Sequence, residues 1–402
     1  MHHSTPCFAG IDWAMRSHVV CVIDTAGATV EHFEVAHDSP GLHTLSRRFA
    51  RLGVVQVAIE RPDGPVVDHL VESGFEVVVV PSRSVKALRA RYSLAGNKSD
   101  RADAYMLADV LRTDGHRLRP LRPDSAATQA LRSVVRTRKD LVGHRVALVQ
   151  QLEAHLERAF PGGTRVFADT ASPIALRFLR RFPTQAKADW LSPARLAAWL
   201  AANAYSGRKD PGVLFERLDS ALDGPRGDDA ELLGVVTLTL VSAIEAMRER
   251  IAELEARIAE RLVLHPLGHV FCSLPRSGTV RAAALLAEIG DCKERFPTPE
   301  ALTALAGVVP STRASGQHTA VVHRHICNKP LKDALCDFAQ DSRFASPWAA
   351  DIYNRARASG KRHPHAVRIV ARSWCQVIWR CWQDEAPYDP LRHTGAQRLR
   401  AA

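Results

Sequence analysis

"FAGIDWAMRSHVVCVIDTAGATVEHFEVA", residues 8–36, holds three strand patterns in a row. Two short apolar runs occupy 8–14 and 18–24, and 28–36 alternates apolar with polar residues after the turn residues "DTAG". Antiparallel strands can follow one another through such short connections. The stretch therefore predicts a three-stranded meander at the start of a sheet.

Beyond the meander, helix and strand patterns alternate. The predicted elements are a capped helix at 39–53, a strand at 54–60, a helix at 61–74, a strand at 75–81, a helix at 82–92 and a helix from Ser99 to about Arg112. The order βββαβαβα is that of a ribonuclease-H-like fold. A Rossmann fold would begin βαβ with a glycine-rich turn, and no GxGxxG follows the first strand. We expect an α/β domain of this type over 1–118.

The rest of the chain reads as helical. Residues 124–160 and 230–264 carry apolar stripes between charges, which predicts an antiparallel coiled coil, with ordinary bundle helices as the alternative. The predicted divisions are coiled-coil helices at 119–160 and 230–265, a helical insert at 161–229, a mostly helical C-terminal domain at 266–390 and a flexible tail at 391–402.

Composition narrows the class of partner. A formal net charge of +11 favours a polyanion, either nucleic acid or an acidic membrane surface. The basic residues are spread over the chain, which favours a long nucleic-acid surface, although a merely basic housekeeping protein is the alternative. No signal peptide or membrane span is evident, so we expect a soluble cytoplasmic protein. None of the 8 cysteines forms a CxxC pair, which argues against a zinc knuckle.

Four carboxylates fall at positions that meet at one edge of the expected fold. Asp12 interrupts the first apolar strand, Glu60 ends the fourth, and Asp100 with Asp103 share a helix face. Converging carboxylates repel one another unless they bind a divalent cation, and Mg²⁺ prefers such oxygens, with Mn²⁺ as the alternative. Separate roles as turn and helix-terminal acids are the other interpretation. Asp109 falls off this helix face and is excluded.

The stretch "NKSD" (97–100) also matches the NKxD element of GTPases. That interpretation requires a P-loop, GxxxxGK[ST], and the sequence contains none. A GTPase is therefore set aside.

The motifs "GIDWA", "AIERP" and "NKSDRADA", together with the C-terminal "LPRSGTVRAAALLAEIGD" and "ALAGVVPSTRASGQ", resemble one family. The resemblance is to the DEDD transposases of the insertion-sequence one-ten group, bacterial serine recombinases guided by a bridge RNA. It covers about 8–160 and 233–390. The chain departs from the family pattern at Arg276–Ser277 and at "HICNKPL" (325–331), where members often have glycine and a basic run.

This resemblance implies a RuvC-like N-terminal domain in which Asp12, Glu60, Asp100 and Asp103 bind metal. It implies that Ser315 attacks a DNA phosphate and holds the strand as a phosphoserine. It also implies that homodimers form a tetrameric synapse and that a structured non-coding RNA pairs with the element ends and the target DNA.

The residues around the four acids and around Ser315 are suited to contact with phosphate groups. Arginine can hold a phosphate through two hydrogen bonds, and glycine permits close backbone approach. The candidate nucleic-acid-binding residues are Lys86, Arg89, Arg91, Lys98, Arg101, Arg276, Arg313, Gly316, Arg324 and Lys329. "HRH" (323–325) favours phosphate over zinc, since no cysteine or acid completes a site nearby. Residues 273–290 resemble a helix–turn–helix, with a packed helical hairpin as the alternative.

Two other functions are consistent with these motifs. One is a RuvC-type junction-resolving nuclease, in which water is the nucleophile and Ser315 is structural. The other is a nucleic-acid-binding module without catalytic activity.

Overall fold

The computed structural model describes residues 6–92, 99–315, 318–322 and 324–401, apart from the side chains of 88–91, 313, 318 and 398–401. The chain divides into two compact units, Met1–Pro123 and Asp124–Ala402.

The described part of the N-terminal unit is a mixed α/β domain, as predicted. Its strands are β1 Cys7–Trp13, β2 Ser17–Ile23, β3 Thr29–Ala36, β4 Val54–Ile59 and β5 Glu76–Val79. Its helices are α1 Ser39–Leu52, α2 Pro65–Glu72, α3 Ser82–Tyr92 and α4 Asp100–Asp114. The sheet order is β3-β2-β1-β4-β5. The first three strands pair antiparallel, while β4 runs parallel to β1 and β5 runs parallel to β4.

Local sequence explains why these elements start and stop where they do. Asp38 caps α1 by accepting a hydrogen bond from the Gly41 amide, and Gly53 ends the helix in the left-handed region at φ 67°. These two capping residues flank the apolar residues of α1 that pack against the sheet, so they set where the helix begins and ends.

Helices cover both faces of the sheet. On one face α1 and α2 bury Leu45, Phe49 and Leu70 against the strands. On the other face α4 buries Leu107 and Ala108, among others, against the sheet. Because both faces are covered, the central strands are apolar on both sides and their ends become the accessible edges.

The C-terminal unit is mostly helical in its described residues. The helices are α5 Ala126–Ala159, α6 Pro161–Arg165, α7 Pro173–Arg181, α8 Gln185–Ala188, α9 Pro193–Ala202, α10 Pro211–Asp219, α11 Asp228–Leu264, α12 Gly268–Cys272, α13 Gly278–Ile289, α14 Pro299–Leu305, α15 Lys329–Ser342, α16 Pro347–Ala358, α17 His363–Gln383 and α18 Thr394–Ala401. One hairpin interrupts them, formed by β6 Ser311–Ser315 and β7 His318–Val322.

Many of these helices begin with the same two-residue signal. A serine, threonine or aspartate caps the helix and a proline occupies its first position, where the missing N–H is no loss. The pairs Ser172–Pro173, Ser192–Pro193, Asp210–Pro211, Thr298–Pro299 and Ser346–Pro347 start α7, α9, α10, α14 and α16.

The long helices α5 and α11 pack antiparallel and take part in two cores. Leu131 at the start of α5 and Ile258 at the end of α11 belong to the C-terminal core with α12–α17. Leu156 at the end of α5 and Val241 near the start of α11 belong to a second core with the helical insert α6–α10. By length and composition α11 is long and apolar enough to cross a membrane, but it lies along α5.

Two segments differ from what the sequence predicted. Ser311–Ser315, within the motif "ALAGVVPSTRASGQ", pairs with His318–Val322 to form the β6–β7 hairpin. Helix α18 occupies Thr394–Ala401, inside the segment 391–402 that we expected to be a flexible tail. The ring of Trp348 contacts His393 just before α18, with centroids 4.4 Å apart, so apolar packing holds this segment.

Candidate active site

Asp12 and Glu60 lie at the ends of neighbouring parallel strands. Ile11 of β1 pairs with Ile59 of β4, so the next residue on each strand is a carboxylate. Both side chains are half-buried. The carboxyl ends of parallel strands form one edge of a sheet, where open α/β folds place their functional groups.

The residues that follow these two carboxylates hold the strand ends together. The guanidinium of Arg61 lies over the Trp13 ring at 4.2 Å from its centroid. Arg61 also forms an ion pair with Asp63 at 3.1 Å. A cation–π contact of this kind stabilises by about 0.5–1 kcal/mol at an exposed site, and here it ties the loop after β4 to the end of β1.

The direction of α4 follows from contacts at its C-terminal end. A Cβ on Gly115, just past α4, would lie 3.4 Å from Gln56 Oε1, and Gln56 pairs with Phe8 near the start of β1. A Cβ on Gly27, in the β2–β3 turn beside that end, would lie 3.1 Å from Arg112 Nε. Helix α4 therefore ends where β1 starts, and its N-terminus lies toward the end of β1.

Spacing along α4 and β1 brings Asp100 and Asp103 to the level of Asp12. Gly10 packs against Ala104, since a Cβ on Gly10 would lie 2.0 Å from Ala104 O. Asp12 lies two strand residues beyond Gly10, about 6.6 Å, and on the same face. Asp100 lies four helical residues before Ala104, about 6 Å. The first turn of α4 thus starts at the edge that carries Asp12.

The four acids differ in exposure. Asp103 is only 2% exposed, whereas Asp100 is exposed to solvent. Asp109, which the sequence analysis excluded, is buried farther along α4 and accepts hydrogen bonds from Tyr92 Oη and from Arg112 Nε. Its carboxylate is thus committed to structural partners.

The chemistry of this donor set suits a hard divalent cation, because carboxylate oxygens on separate elements are the ligands that Mg²⁺ prefers. In the described residues, however, no group of three or more His, Cys, Asp or Glu side chains is arranged around a common ion position. The backbone brings the four acids to one edge, and the side chains do not close into a ligand set.

A histidine pair beside this edge, with one fully buried ring, was not predicted from the sequence. His18 is fully buried on β2, next to Trp13, and its Nε2 lies 2.8 Å from Nδ1 of His37. Burial, and secondly the neighbouring His37, lowers the pKa of His18 to about 4. Its Nδ1 has no hydrogen-bond partner among the described atoms. A histidine opening the apolar run "HVVCVI" was the available signal.

Ser315 is the last residue of β6 and pairs with His318 across the hairpin. Its side chain is exposed. Two other serines in the matching C-terminal motifs differ: Ser277 is 1% exposed and donates its hydroxyl to Cys272 O, and Ser311 is half-buried at the base of the hairpin. Among these three, Ser315 has the hydroxyl most open to a substrate.

The residues predicted to contact phosphate differ in exposure and in whether they form ion pairs within the protein. Lys86, Arg101 and Lys329 are exposed and Arg324 is half-buried, and none of these four forms an ion pair with another described residue. Arg276 instead pairs with Asp341 at 3.0 Å. Lys98, Gly316 and His323 lie outside the described residues, as do the side chains of Arg89, Arg91 and Arg313.

The segment 273–290, predicted to resemble a helix–turn–helix, contains one helix, α13, after a turn. Helix α12 spans five residues, Gly268–Cys272, before a turn that leads into α13. Arg276 in that turn has φ 57°, a left-handed backbone conformation that is uncommon outside glycine. The ion pair with Asp341 fixes the Arg276 side chain and neutralises its charge within the protein.

Comparison with known proteins gives two family matches. Residues 9–161 match a DEDD transposase model, DEDD_Tnp_IS110, described as "Transposase", and residues 268–354 match "Transposase IS116/IS110/IS902 family". The chain is 31% identical to the "Mini-circle putative transposase for IS117" of Streptomyces coelicolor, over 97% of both chains. It is 28% identical to the "Insertion element IS900 uncharacterized 42 kDa protein" of Mycobacterium paratuberculosis, over 97% of this chain and 99% of that one.

Proposed function

Because this chain belongs to the IS116/IS110/IS902 family of insertion-sequence transposases, which are DNA-processing enzymes, we propose that it cuts and rejoins DNA through a 5′-phosphoserine at Ser315. The proposal includes a bridge RNA as guide and the acidic edge of the N-terminal unit as a metal site. The observation that carries it is the convergence of Asp12, Glu60 and the N-terminus of α4 on one sheet edge.

We propose a ribonuclease-H-like, RuvC-like fold for the N-terminal unit. The strand order β3-β2-β1-β4-β5, with a meander on one side and parallel strands on the other, supports this assignment. The position of α4 also supports this fold assignment, because its first turn, which carries Asp100 and Asp103, starts at the edge where β1 and β4 end.

The four carboxylates would hold one or two Mg²⁺ or Mn²⁺ ions. Such ions polarise a bound phosphate and stabilise charge on the attacking and leaving oxygens. Asp12 and Glu60 project from the rigid sheet, while Asp100 and Asp103 come from the start of α4. The basic residues Lys86 and Arg101 near this edge would attract the phosphate backbone to a site that is otherwise acidic.

Ser315 would act as the nucleophile. Its Oγ forms a bond to phosphorus as the bond from phosphorus to the 3′ oxygen breaks, which leaves a free 3′ hydroxyl and a 5′ phosphate on the protein. A serine hydroxyl needs activation for this step. The exposed position of Ser315 at the end of a hairpin strand supports this role, because a DNA strand can approach it without displacing the core.

The remaining parts of the proposal concern partners. A guide RNA would read the element ends and the target by base pairing, so few side chains need to contact bases. Dimers would assemble into a tetrameric synapse, for which the long α5–α11 pair offers an extended surface. The net charge of +11 supports binding of both DNA and RNA.

The alternative of a water-dependent nuclease is not favoured, because the similar proteins with a described activity are described as transposases. The two mechanisms also leave different products. Only the serine mechanism joins the protein covalently to DNA.

Covalent trapping tests the proposal. Protein is incubated with element-end DNA, guide RNA and Mg²⁺, and adducts are separated on a denaturing gel. We expect an adduct with the wild type and with Ser311→Ala on the same strand, and none with Ser315→Ala. An adduct that persists in Ser315→Ala would rule out this serine. DNA cut without any adduct would instead support the nuclease.

A further inference from the structure

A groove of about 680 Å³ lies between the base of the β6–β7 hairpin and helix α17. One wall is Gly307–Pro310 with the hairpin residues Val321 and Val322, and the other is one face of α17. His365, Arg368, Arg372 and Gln376 lie on that face, at helical spacings of three and four residues. The groove thus has an apolar side and a basic side.

The arginines in this groove carry charge that no described residue neutralises through an ion pair. Neither Arg368 nor Arg372 forms an ion pair with another described residue, and no acidic residue is among the described ones that line the groove. Several other arginines of the unit are paired: Arg276 and Arg281 contact Asp341, and Arg380, on α17 itself, contacts Asp384 at 2.7 Å.

The positive field acts on its neighbour in the same groove. Partial burial, followed by the charges of Arg368 and Lys361, lowers the pKa of His365. Asp333, an acid on the nearby α15, pairs with Lys139 at 2.5 Å and forms no ion pair with Arg368 or Arg372 among the described residues. An anion is a suitable partner for these two arginines, which lie four residues and so about 6 Å apart along the helix axis.

The position of the groove relative to Ser315 indicates which anion. Ser311 pairs with Val322, which lines the groove, and Ser315 is at the other end of β6. Four strand residues span about 13 Å. That distance equals about four steps of 3.4 Å along a B-form DNA axis. A strand that is attached at Ser315 and follows the hairpin therefore reaches α17 within a few nucleotides.

We infer that this groove binds the phosphate backbone of DNA through Arg368 and Arg372, about four nucleotides from the phosphate that reacts with Ser315. The inference rests on the proposed function for the identity of the strand. Its role is positioning: the two arginines hold the strand in register with the hairpin and read no sequence. A contact of this kind contributes to affinity through release of counterions and therefore depends steeply on salt.

The test measures affinity against salt concentration. A fluorescent DNA duplex of random sequence is titrated with the full-length wild type, with Arg368→Gln/Arg372→Gln and with Arg380→Gln. Arg380→Gln is the matched control, because it removes one arginine from the same helix but one that already has an acidic partner. Thermal unfolding of each variant checks that the fold is retained.

We expect the double variant to bind about 100-fold more weakly at low salt, from about tenfold for each charged contact. We also expect its slope of log affinity against log salt to be shallower by about 2, since each phosphate contact contributes about 0.9. Arg380→Gln should keep the wild-type slope. An unchanged slope in the double variant overturns the inference, as does an equal change in Arg380→Gln.

Two further arms separate this inference from the proposed function. The same titration with an RNA duplex identifies the strand, and a slope change seen with RNA alone overturns the assignment to DNA. If covalent trapping gives no adduct but the salt slope of the double variant changes as expected, the serine mechanism is wrong and the DNA-binding role of the groove is supported. A wild type that does not bind DNA overturns both.

Discussion

Gly10 on β1 and Ala104 on α4 touch backbone to backbone, since a Cβ on Gly10 would lie 2.0 Å from the Ala104 carbonyl oxygen. This contact sets the height of α4 on the sheet. The height in turn decides whether Asp100 and Asp103 reach the edge where Asp12 and Glu60 lie. A glycine in the motif "GIDWA" is thus a structural requirement of the acidic edge.

Replacing Gly10 by alanine should therefore disturb both stability and activity. The added methyl meets backbone atoms that cannot move aside, and such overpacking costs about 1–3 kcal/mol. We expect a lower urea midpoint and a loss of DNA cleavage beyond the loss of folded protein. Gly143→Ala is the control: its Cβ would meet nothing within 4 Å in the interior of α5, so it should stabilise by up to about 1 kcal/mol. Wild-type stability in Gly10→Ala would contradict the close contact.

Removing single carboxylates from the acidic edge should abolish cleavage while the fold is kept. Asp12→Asn and Asp103→Asn keep side-chain shape but lose the charge that a divalent cation requires. Loss of one such electrostatic contribution typically lowers a rate by about 10²-fold or more. The measurement is Mg²⁺-dependent cutting of labelled DNA. Asp114→Asn, at the far end of α4 and paired with Arg117, is the matched control and should cut normally. Full activity in Asp12→Asn would exclude the metal site.

The His18–His37 pair should make stability depend on pH. The folded-state pKa of His18 is about 4, below its ordinary value of 6.5, so the unfolded chain binds more protons between these values. His18 therefore supports the fold above pH 6.5 and progressively loses that contribution as the pH falls toward 4. We expect the difference in unfolding free energy between pH 7.5 and 4.5 to shrink in His18→Gln. His32→Gln, on the exposed side of β3, should behave like the wild type, and an unchanged pH dependence in His18→Gln would refute this assignment.

Asp124 should contribute strongly to the stability of the C-terminal unit. Its side chain is 1% exposed, forms ion pairs with Arg132 and Arg295, and accepts the backbone amides of Asp291 and Cys292. Removing one partner of a buried pair costs about 3–5 kcal/mol, because the remaining charge is left without compensation. We expect Asp124→Asn to lower the urea midpoint markedly.

The exposed pair Lys139–Asp333 provides the comparison for Asp124. Asp333 is 56% exposed, and exposed pairs contribute about 0–1 kcal/mol. Asp333→Asn should therefore leave the midpoint almost unchanged. Equal effects of the two substitutions would show that the buried network around Asp124 is not what stabilises the unit.

The order of the N-terminal elements was predictable because each carries its own local signal. Period-two alternation marks β3, the Asp38 cap and Gly53 mark α1, and the i, i+3 spacing of Asp100 and Asp103 places both on one helix face. The hairpin at 311–322 was missed as a pair of strands, because its small polar residues lack the apolar alternation of a half-buried strand. Helix α18 was missed because its docking depends on aromatic contacts that are distant in sequence.

The sequence by itself determined which chemical groups are present: four acids at predicted strand and helix ends, a serine in a family motif and a large positive charge. These follow from local periodicity and composition, which act over a few residues. Only the tertiary structure decided which charged side chains are already neutralised by ion pairs within the protein. Arg276 and Arg281 are neutralised by Asp341, 60 or more residues away, whereas Arg368 and Arg372 remain unpaired beside the hairpin among the described residues. Pairing between distant charges depends on how the helices pack, and no local pattern in the chain records it.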